Sequence, residues 1–456
     1  MKIVILNGSP KGDMSITLQY LRYVEKKIPG HEFKVINIGQ KINKIEKDGD
    51  YFQSIVDDIK SSDAVIWSFP IYFLMAPSQV KRLVELFIEK VPDGVFKDKY
   101  TTAITTSIHF YDHTAHNYIH SVSEDMGAIY VPGYSPGMHD LMEPEKCESL
   151  LEFARNFFRH IEKKMPVARV FMPIDYNMPE YKPNDVEEIE KTGDKKVLLL
   201  TDSEKSDVNI NRMIDVFVKR APYEVEVLNL NDIDIKGGCI GCIHCGNNGT
   251  CIYKDDFMDF FKEKIMKADG IIQACKIKDR YLSSNWKKYY DRSFFNGHRP
   301  VLQGKQMGFL ISGPLRQIPN LRELLVGFLQ VGRVNLVDII TDEYEDSNKI
   351  TSLISSFADE FAYSMDKGIS RPVTFLGVGG HKIFRDYIYE MKFIFREDNL
   401  YYEKHGLYDF PQKNVKSRLK NTFLMPLMKI SKMREEFYKT AREKMVEPYV
   451  KIVEEA

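Results

Sequence analysis

Four of the six cysteines fall within 13 positions, in the spacing Cys239-x2-Cys242-x2-Cys245-x5-Cys251. Four thiols on one short loop can each reach one iron corner of a cubane, so the spacing predicts a [4Fe–4S] cluster. Two other readings stay open: a Zn(Cys)4 site, although these are usually built from two well-separated cysteine pairs, and a loop of reduced thiols without metal. His244 lies inside the motif as a neighbour rather than a ligand, while Cys147 and Cys275 stand apart as isolated thiols. Six cysteines in 456 residues are too few for a disulfide scaffold, which suits a reducing compartment.

Three further segments carry polar chemistry. GSPKGDMSIT, residues 8–17, follows the apolar run KIVIL and precedes a helical pattern. Its glycines let the backbone approach an anion, and a helix N-terminus with unpaired N–H groups favours a phosphate. Ser15 and Thr17 could equally serve only as helix caps. SFPIYFLMAPSQVK, residues 68–81, offers a rigid Pro70 and an aromatic Tyr72, a surface on which a flat ring could lie, though an ordinary strand-to-helix loop looks similar. TTSIHFYDHTAHNY, residues 105–118, concentrates His109, Tyr111, Asp112, His113 and His116. A proton donor could come from it, and these are also common polar loop residues.

The elements that would position these loops repeat. Lys2 matches Lys196 and Ser9 matches Ser203 at an offset of 194; Asp63 matches Asp269, Lys81 matches Lys287 and Lys99 matches Lys305 at an offset of 206. The second copy has therefore gained twelve residues, in the stretch that holds the cysteines. Short apolar strands alternate with amphipathic helices, as in an open parallel sheet covered on both faces. In SQVKRLVELFIEKV, Val80, Leu83, Val84, Phe87, Ile88 and Val91 form a core-facing helical stripe. The expected organisation is α/β: a doubly wound domain over 1–165, a Pro-rich linker with an acidic run over 166–195, a degenerate second domain over 196–368 carrying the four-cysteine insertion, and a helical C-terminal extension over 369–456. That extension is a candidate cover for a site or an interface. Within it, Lys413 to Lys444 holds ten Lys/Arg against three Glu, which could attract an acidic partner or a nucleotide phosphate but reads first as a solvated helix face.

Lys+Arg number 64 and Asp+Glu 65, for a net charge of −1, so no strong overall field draws the chain to nucleic acid or anionic lipid. No apolar run approaches a membrane span, and KIVIL is shorter than a signal-peptide core. The expectation is a cytoplasmic protein of two or three domains, without nucleic-acid or membrane partners.

GSPKGDMSIT followed by SFPIYFLMAPSQVK resembles the NADPH-dependent FMN reductase branch of the flavodoxin-like superfamily, over most of residues 1–165 and more weakly over 196–345. The resemblance implies two flavodoxin-like domains. It implies FMN held by Ser9, Lys11, Ser15, Ile16 and Thr17 at the phosphate, with Pro70, Ile71, Tyr72 and Phe73 at the ring and Ser107 and His109 as further contacts. Tyr72, His109 and Tyr111 are the candidate catalytic groups, and NAD(P)H the cosubstrate. The cysteine motif resembles that of iron–sulfur flavoproteins, where cluster and flavin loops share one repeat; here they are divided between two. In the second copy Gly8 becomes Asp202, Pro10 becomes Glu204, Pro70 becomes Lys276 and Tyr72 becomes Lys278, so flavin is expected only in the first. The function implied is an FMN-dependent oxidoreductase passing electrons from NAD(P)H or a reduced carrier, with a [4Fe–4S] relay, to a small-molecule or protein acceptor: a quinone, nitroaromatic, enone or another protein. A homodimer or an intramolecular pseudo-dimer would bring the two centres together. A non-catalytic flavin/iron–sulfur electron carrier is the alternative, and a scaffold with decayed sites a third reading.

Overall fold

The computed structural model describes residues 1–456, the side chains of residues 442 and 443 excepted. Strands β1 (Lys2–Asn7), β2 (Glu32–Ile36), β3 (Ala64–Pro70), β4 (Tyr100–Thr106) and β5 (Ile129–Tyr130) pair in the order β2-β1-β3-β4-β5, every ladder parallel. Around them run α1 (Ile16–Lys27), α2 (Ile38–Lys47), α3 (Gly49–Lys60), α4 (Ser78–Lys90), α5 (Asp112–Asp125) and α6 (Pro144–Glu162). In β1, Ile3, Val4, Ile5 and Leu6 are all buried, because helices cover both faces of the sheet and leave no solvent side for polar residues to occupy.

The same plan recurs. β6 (Val197–Thr201), β7 (Val225–Asn229), β8 (Gly270–Lys276), β9 (Gln306–Ser312) and β10 (Asn335–Thr341) form a second parallel sheet in the equivalent order, β7-β6-β8-β9-β10. Its helices are α7 (Val208–Arg220), the short α8 (His244–Asn248) and α9 (Phe257–Phe260), α10 (Ser284–Arg292), α11 (Pro319–Val331) and α12 (Ser347–Lys367). Where the first copy places α2 and α3 between its second and third strands, the second has the cysteine loop, α8 and α9. Both sheets are doubly wound and flavodoxin-like. The segment from 163 to 196 forms no helix or strand, yet it is not wholly exposed as a linker would be: Tyr181 is buried in the second core and its hydroxyl bonds Thr351 at 2.8 Å.

The C-terminal extension is helical: α13 (Phe375–Glu390), α14 (Arg396–Lys404), α15 (Val415–Leu427) and α16 (Ser431–Glu454). Met1–Leu400 makes one compact unit and Tyr401–Ala456 another. Among the described residues no helix is long and apolar enough to cross a membrane.

The two sheets belong to the same unit, joined through α4 and α10, and here the matched lysines find their use. Lys81 is fully buried, with its ammonium 2.7 Å from Glu85 and 3.0 Å from Asp279 across the junction. Its equivalent, Lys287, is equally buried; it pairs with Asp291 and donates to the Tyr72 carbonyl at 2.9 Å. The helix ends are exchanged as well. The Ser284 backbone N–H donates to Glu85 at 2.7 Å, and the Ser78 N–H donates to Asp291 at 2.7 Å, so each helix N-terminus is met by a carboxylate from the other helix. Residues 78, 85, 284 and 291 keep the offset of 206, which makes the contact a pseudo-isologous one within one chain. Burial opposes the Glu85 charge, but Lys81 and the Ser284 donors outweigh it and hold the carboxyl down at about 2.

Replacing Lys81 by Met leaves buried Asp279 without its cation, while Glu85 keeps Arg82 at 3.0 Å. We expect a loss of about 3–5 kcal/mol in chemical denaturation, part of which returns in the double variant Lys81→Met, Asp279→Asn.

Candidate functional site

In a sheet of this order the strand sequence reverses between β1 and β3, and the crevice beyond their C-terminal ends is where ligands sit. A cavity of about 250 Å³ opens there. At one end, Ser9, Lys11, Ser15, Ile16 and Thr17 line it. Asn7, buried at the end of β1, shapes this loop: its side chain accepts from the Ser9 N–H at 3.2 Å and donates to the Gly12 carbonyl at 3.0 Å. Ser15 caps α1 by accepting from the Leu18 N–H, and Thr17 shares a 2.6 Å hydroxyl bond with Thr106. A capping hydroxyl still has its own proton to donate, so the capping role and an anion-binding role are compatible. The loop is close-packed: a Cβ at Gly8 would lie 2.1 Å from Val80 Cγ2.

At the other end stand Pro70, Ile71, Tyr72 and Phe73, with Thr106 and Ser107 behind. Phe73 and Leu74 both hold positive φ, 46° and 66°, a conformation side-chain-bearing residues rarely adopt. Neighbouring contacts hold the turn. Phe73 stacks on Tyr290 with centroids 5.6 Å apart and planes 7° apart, and Lys287 holds the Tyr72 carbonyl. Phe73 therefore borders the cavity while its ring anchors into the second repeat.

The cavity's remaining wall comes from elsewhere in the chain. Cys239, Gly241, Ile243, Cys245 and Gly246 of the cysteine loop line it, as do Phe294 and His298. Gly241, at φ +63°, is the point of closest approach: a Cβ there would fall 2.0 Å from the Tyr72 hydroxyl and 3.5 Å from Lys11 Cε. Phe384, Tyr387, Phe395 and Asp398, from α13 and the start of α14, complete the enclosure. A second chamber of about 100 Å³ shares Phe73, Phe110, Phe294, His298 and Phe384 with the first and is lined mostly by aromatic and aliphatic residues, with Ser293, Asn296 and Arg299 among them. His298 keeps its Nδ1 3.3 Å from buried Asp398.

The third loop divides. Ser107 lines the cavity, but His109 and Tyr111 do not. The His109 side chain is more than half exposed and turns to Asp112 at 3.0 Å. Tyr111 is buried, and its hydroxyl donates to the Leu376 carbonyl at 3.1 Å. Both backbones hold positive φ. The cavity-facing groups are instead Tyr72 and His298. Burial, reinforced by the nearby charges of Cys239, Asp291 and Cys242, pushes the Tyr72 hydroxyl well above the ordinary phenol range.

Cys242 and Cys245 lie near enough to Cys239, and Cys242 and Cys251 near enough to Cys245, for their charges to oppose ionisation of Cys239 and Cys245. Burial drives Cys239 up to about 12 and Cys245 up to about 11. Two buried cations attend them: Lys287 beside Cys239, and Arg292 beside Cys251. Among the described residues no three His, Cys, Asp or Glu side chains already converge as they would on a metal ion.

In the equivalent crevice of the second repeat, a polar cavity of about 680 Å³ bordered by Asp202, Glu204, Lys278 and Ser283, charged side chains take the places of the first repeat's glycine and aromatic turn. Asp202, in the place of Gly8, accepts from Ser283 and from the Trp286 indole at 2.8 Å. Lys276, in the place of Pro70, pairs with Asp207 at 2.6 Å.

Sequence reasoning missed Gly241, Phe294, His298, Phe384, Tyr387, Phe395 and Asp398 as parts of this site. Only the glycine inside the cysteine motif carried a local signal; the others reach the cavity through tertiary packing.

Two measurements check this geometry. In metal-free protein at pH 8, Cys242, which is exposed, should be alkylated about tenfold or more faster than Cys239, which is only partly exposed and is held protonated. His116 bonds Thr105 at 2.8 Å, and burial lowers its imidazole to about 4 against the opposing charge of Asp112. The unfolded chain takes up that proton near pH 6.5, so stability should fall as pH drops from about 6.5 through about 4. Thermal unfolding across that window should lose part of its slope in His116→Gln.

Comparison with known proteins agrees with this architecture. Residues 1–140 and again 195–342 match the family NADPH-dependent FMN reductase. An iron-sulfur flavoprotein of Archaeoglobus fulgidus is 28% identical over 165 residues, spanning 34% of this chain and 74% of the relative. Among solved structures, a flavoenzyme NAD(P)H:acceptor oxidoreductase from Paracoccus denitrificans is 20% identical, with TM-score 0.31, covering 36% of this chain and 97% of that one. An NADH:FMN oxidoreductase is 17% identical, with TM-score 0.29, covering 36% and 89%. The chain belongs to the NADPH-dependent FMN reductase family, as a flavodoxin-like oxidoreductase carrying two copies of the domain in tandem.

Proposed function

We propose that the chain is an NAD(P)H-driven oxidoreductase with one FMN site per polypeptide, built on the first repeat and roofed by the thiols of the second. The observation that carries this reading is a single cavity bordered by the hydroxyls of the first loop, by the Tyr72 turn, and by Cys239 and Cys245. Bound there, FMN would supply a centre that accepts a hydride and releases electrons singly.

The residues fit that cofactor. Ser9, Ser15 and the N-terminus of α1 offer donors to a phosphate, and Lys11 a positive charge. Pro70, Ile71 and Tyr72 give the headgroup an apolar floor, and Phe384, Tyr387 and Phe395 exclude water from its other side. With its hydroxyl held protonated, Tyr72 orients by donating a hydrogen bond and is a poor base at neutral pH. In the second repeat, the carboxylates of Asp202 and Glu204 line the equivalent crevice and would repel a phosphate dianion, and Lys278 stands in the place of Tyr72, which supports a single flavin.

Cys239, Cys242, Cys245 and Cys251 would hold a [4Fe–4S] cluster, a one-electron centre lying against the flavin cavity. The donor set suits it by type, four thiols on one loop; the buried cations beside them, Lys287 and Arg292, are already paired with Asp291 and Asp255. The iron-sulfur flavoprotein relative points the same way. The acceptor is proposed to enter through the aromatic chamber, which favours a small planar molecule.

Anaerobically purified holoprotein should contain one FMN and about four iron atoms per chain, and should oxidise NAD(P)H with a small acceptor. Gly241→Val, which drives a side chain into the Tyr72 hydroxyl, should weaken FMN binding by about tenfold or more, since one clash of 1–2 kcal/mol has that effect. Two flavins per chain would refute the single-site reading. Absence of turnover with either nicotinamide, beside fast exchange with a ferredoxin, would favour an electron carrier over an enzyme.

A further inference from the structure

The chain's near-zero net charge conceals a strong local imbalance. Residues 413–434 hold seven Lys or Arg and no Asp or Glu, so the rest of the chain is net acidic. In the same stretch the large apolar side chains stand in solvent: Phe423 is 70% exposed, Met425 67%, Val415 62%, Leu419 54% and Ile430 51%. No residue of α15 is buried. Single exposed apolar side chains are ordinary, but a contiguous set on one helix marks an interaction surface. Val415, Leu419, Phe423 and Leu427 recur every fourth residue and share one face of α15, with Lys416, Arg418 and Lys420 interleaved.

We propose that this segment docks on an anionic lipid bilayer, with α15 and the start of α16 lying in the plane of the interface. The charge pattern selects this occupant. A second copy meeting this one through the same segment would set seven further cations against the seven already there, ahead of the first carboxylates at Glu435 and Glu436, and like charges in contact repel. An acidic protein surface would satisfy the lysines while holding Phe423 and Leu419 against polar groups. A lipid–water interface satisfies both sets at once, taking the apolar side chains among the acyl chains and leaving the cations at the phosphates. Pro426 inside α15 and the turn before Ser431 would let the two helices lie along one curved surface. This surface is independent of the flavin cavity, none of whose lining residues lies beyond residue 398.

The test is co-sedimentation of full-length holoprotein with phosphatidylcholine vesicles, with and without about one-third phosphatidylglycerol. Binding should be about tenfold or more tighter to the anionic vesicles and should be lost in about 0.5 M NaCl. Phe423→Ser with Leu419→Ser, and separately Lys416→Glu with Lys420→Glu, should each weaken it by about tenfold, while flavin content and NAD(P)H oxidation stay at the parent level, which controls for folding. Equal binding to neutral vesicles would overturn the proposal. So would failure to bind either kind, whether the chain forms a dimer that Phe423→Ser disperses or an acidic protein partner is found on this face.

Discussion

Two buried lysines, crossing between α4 and α10, fix how the halves of this chain face one another. A buried ion pair is weak evidence for stability, because desolvating both charges offsets much of their attraction. Its effect here is registry. Lys81 must meet Glu85 and Asp279, Lys287 must meet Asp291, and each helix N-terminus must meet the opposite carboxylate. A slip by one helical turn would leave several charges without partners in a dry junction, whereas an apolar seam could slide. Lys287 also holds the Tyr72 carbonyl and lies beside Cys239. One ammonium thus links the junction to the ring turn of the first repeat and the thiol loop of the second.

Covalent duplication has a consequence that a symmetric dimer could not reach. In a homodimer every substitution appears in both subunits, so a change that abolishes one site abolishes its twin. In tandem, the two copies diverge. Gly8 remains glycine where a side chain would strike Val80, while its counterpart is Asp202, bonded to Ser283 and Trp286. The second crevice is lined by carboxylates and lysines, and the loop between β7 and β8 carries the cysteine segment. Asp279 stands where Phe73 stands in the first copy, and the two positions now do different work: a carboxylate for Lys81 on one side, a stacked ring against Tyr290 on the other.

What could be read from the sequence, and what could not, follows from the range of the interactions. The parallel sheets were legible because strands buried on both faces become uninterrupted apolar runs, and the repeat because Lys81 and Lys287 kept their spacing. The first loop and the ring turn were legible because each is a local sequence that shapes its own backbone. His109 and Tyr111 could not be placed from residue type, because the partners they take, Asp112 for one and the distant Leu376 carbonyl for the other, are set by the folded backbone. Tyr181 lay in a Pro-rich stretch that reads as exposed, and it is buried because the second core has a gap for its ring. Phe384, Tyr387, Phe395 and His298 were invisible for a different reason: helices far along the chain bring them to the cavity, and aromatic residues at helical spacing look like any core.

The thiol loop is the least settled part of the molecule in a physical sense, and its environment explains why. Burial holds Cys239 and Cys245 protonated, at about 12 and about 11, so the fold by itself does not favour thiolates there. Lys287 does not reverse this, because burial also lowers its own tendency to carry charge and Asp291 already claims it. Four such thiols can become thiolates together only if a strongly positive group enters and their protons leave, which ties occupancy of the loop to pH. Gly241 makes the coupling spatial as well. Its backbone lies against the Tyr72 hydroxyl, so a rearrangement of the loop would be felt at the floor of the cavity. The chemistry of the second repeat and the geometry of the first are therefore one problem, joined at a contact that only glycine can make.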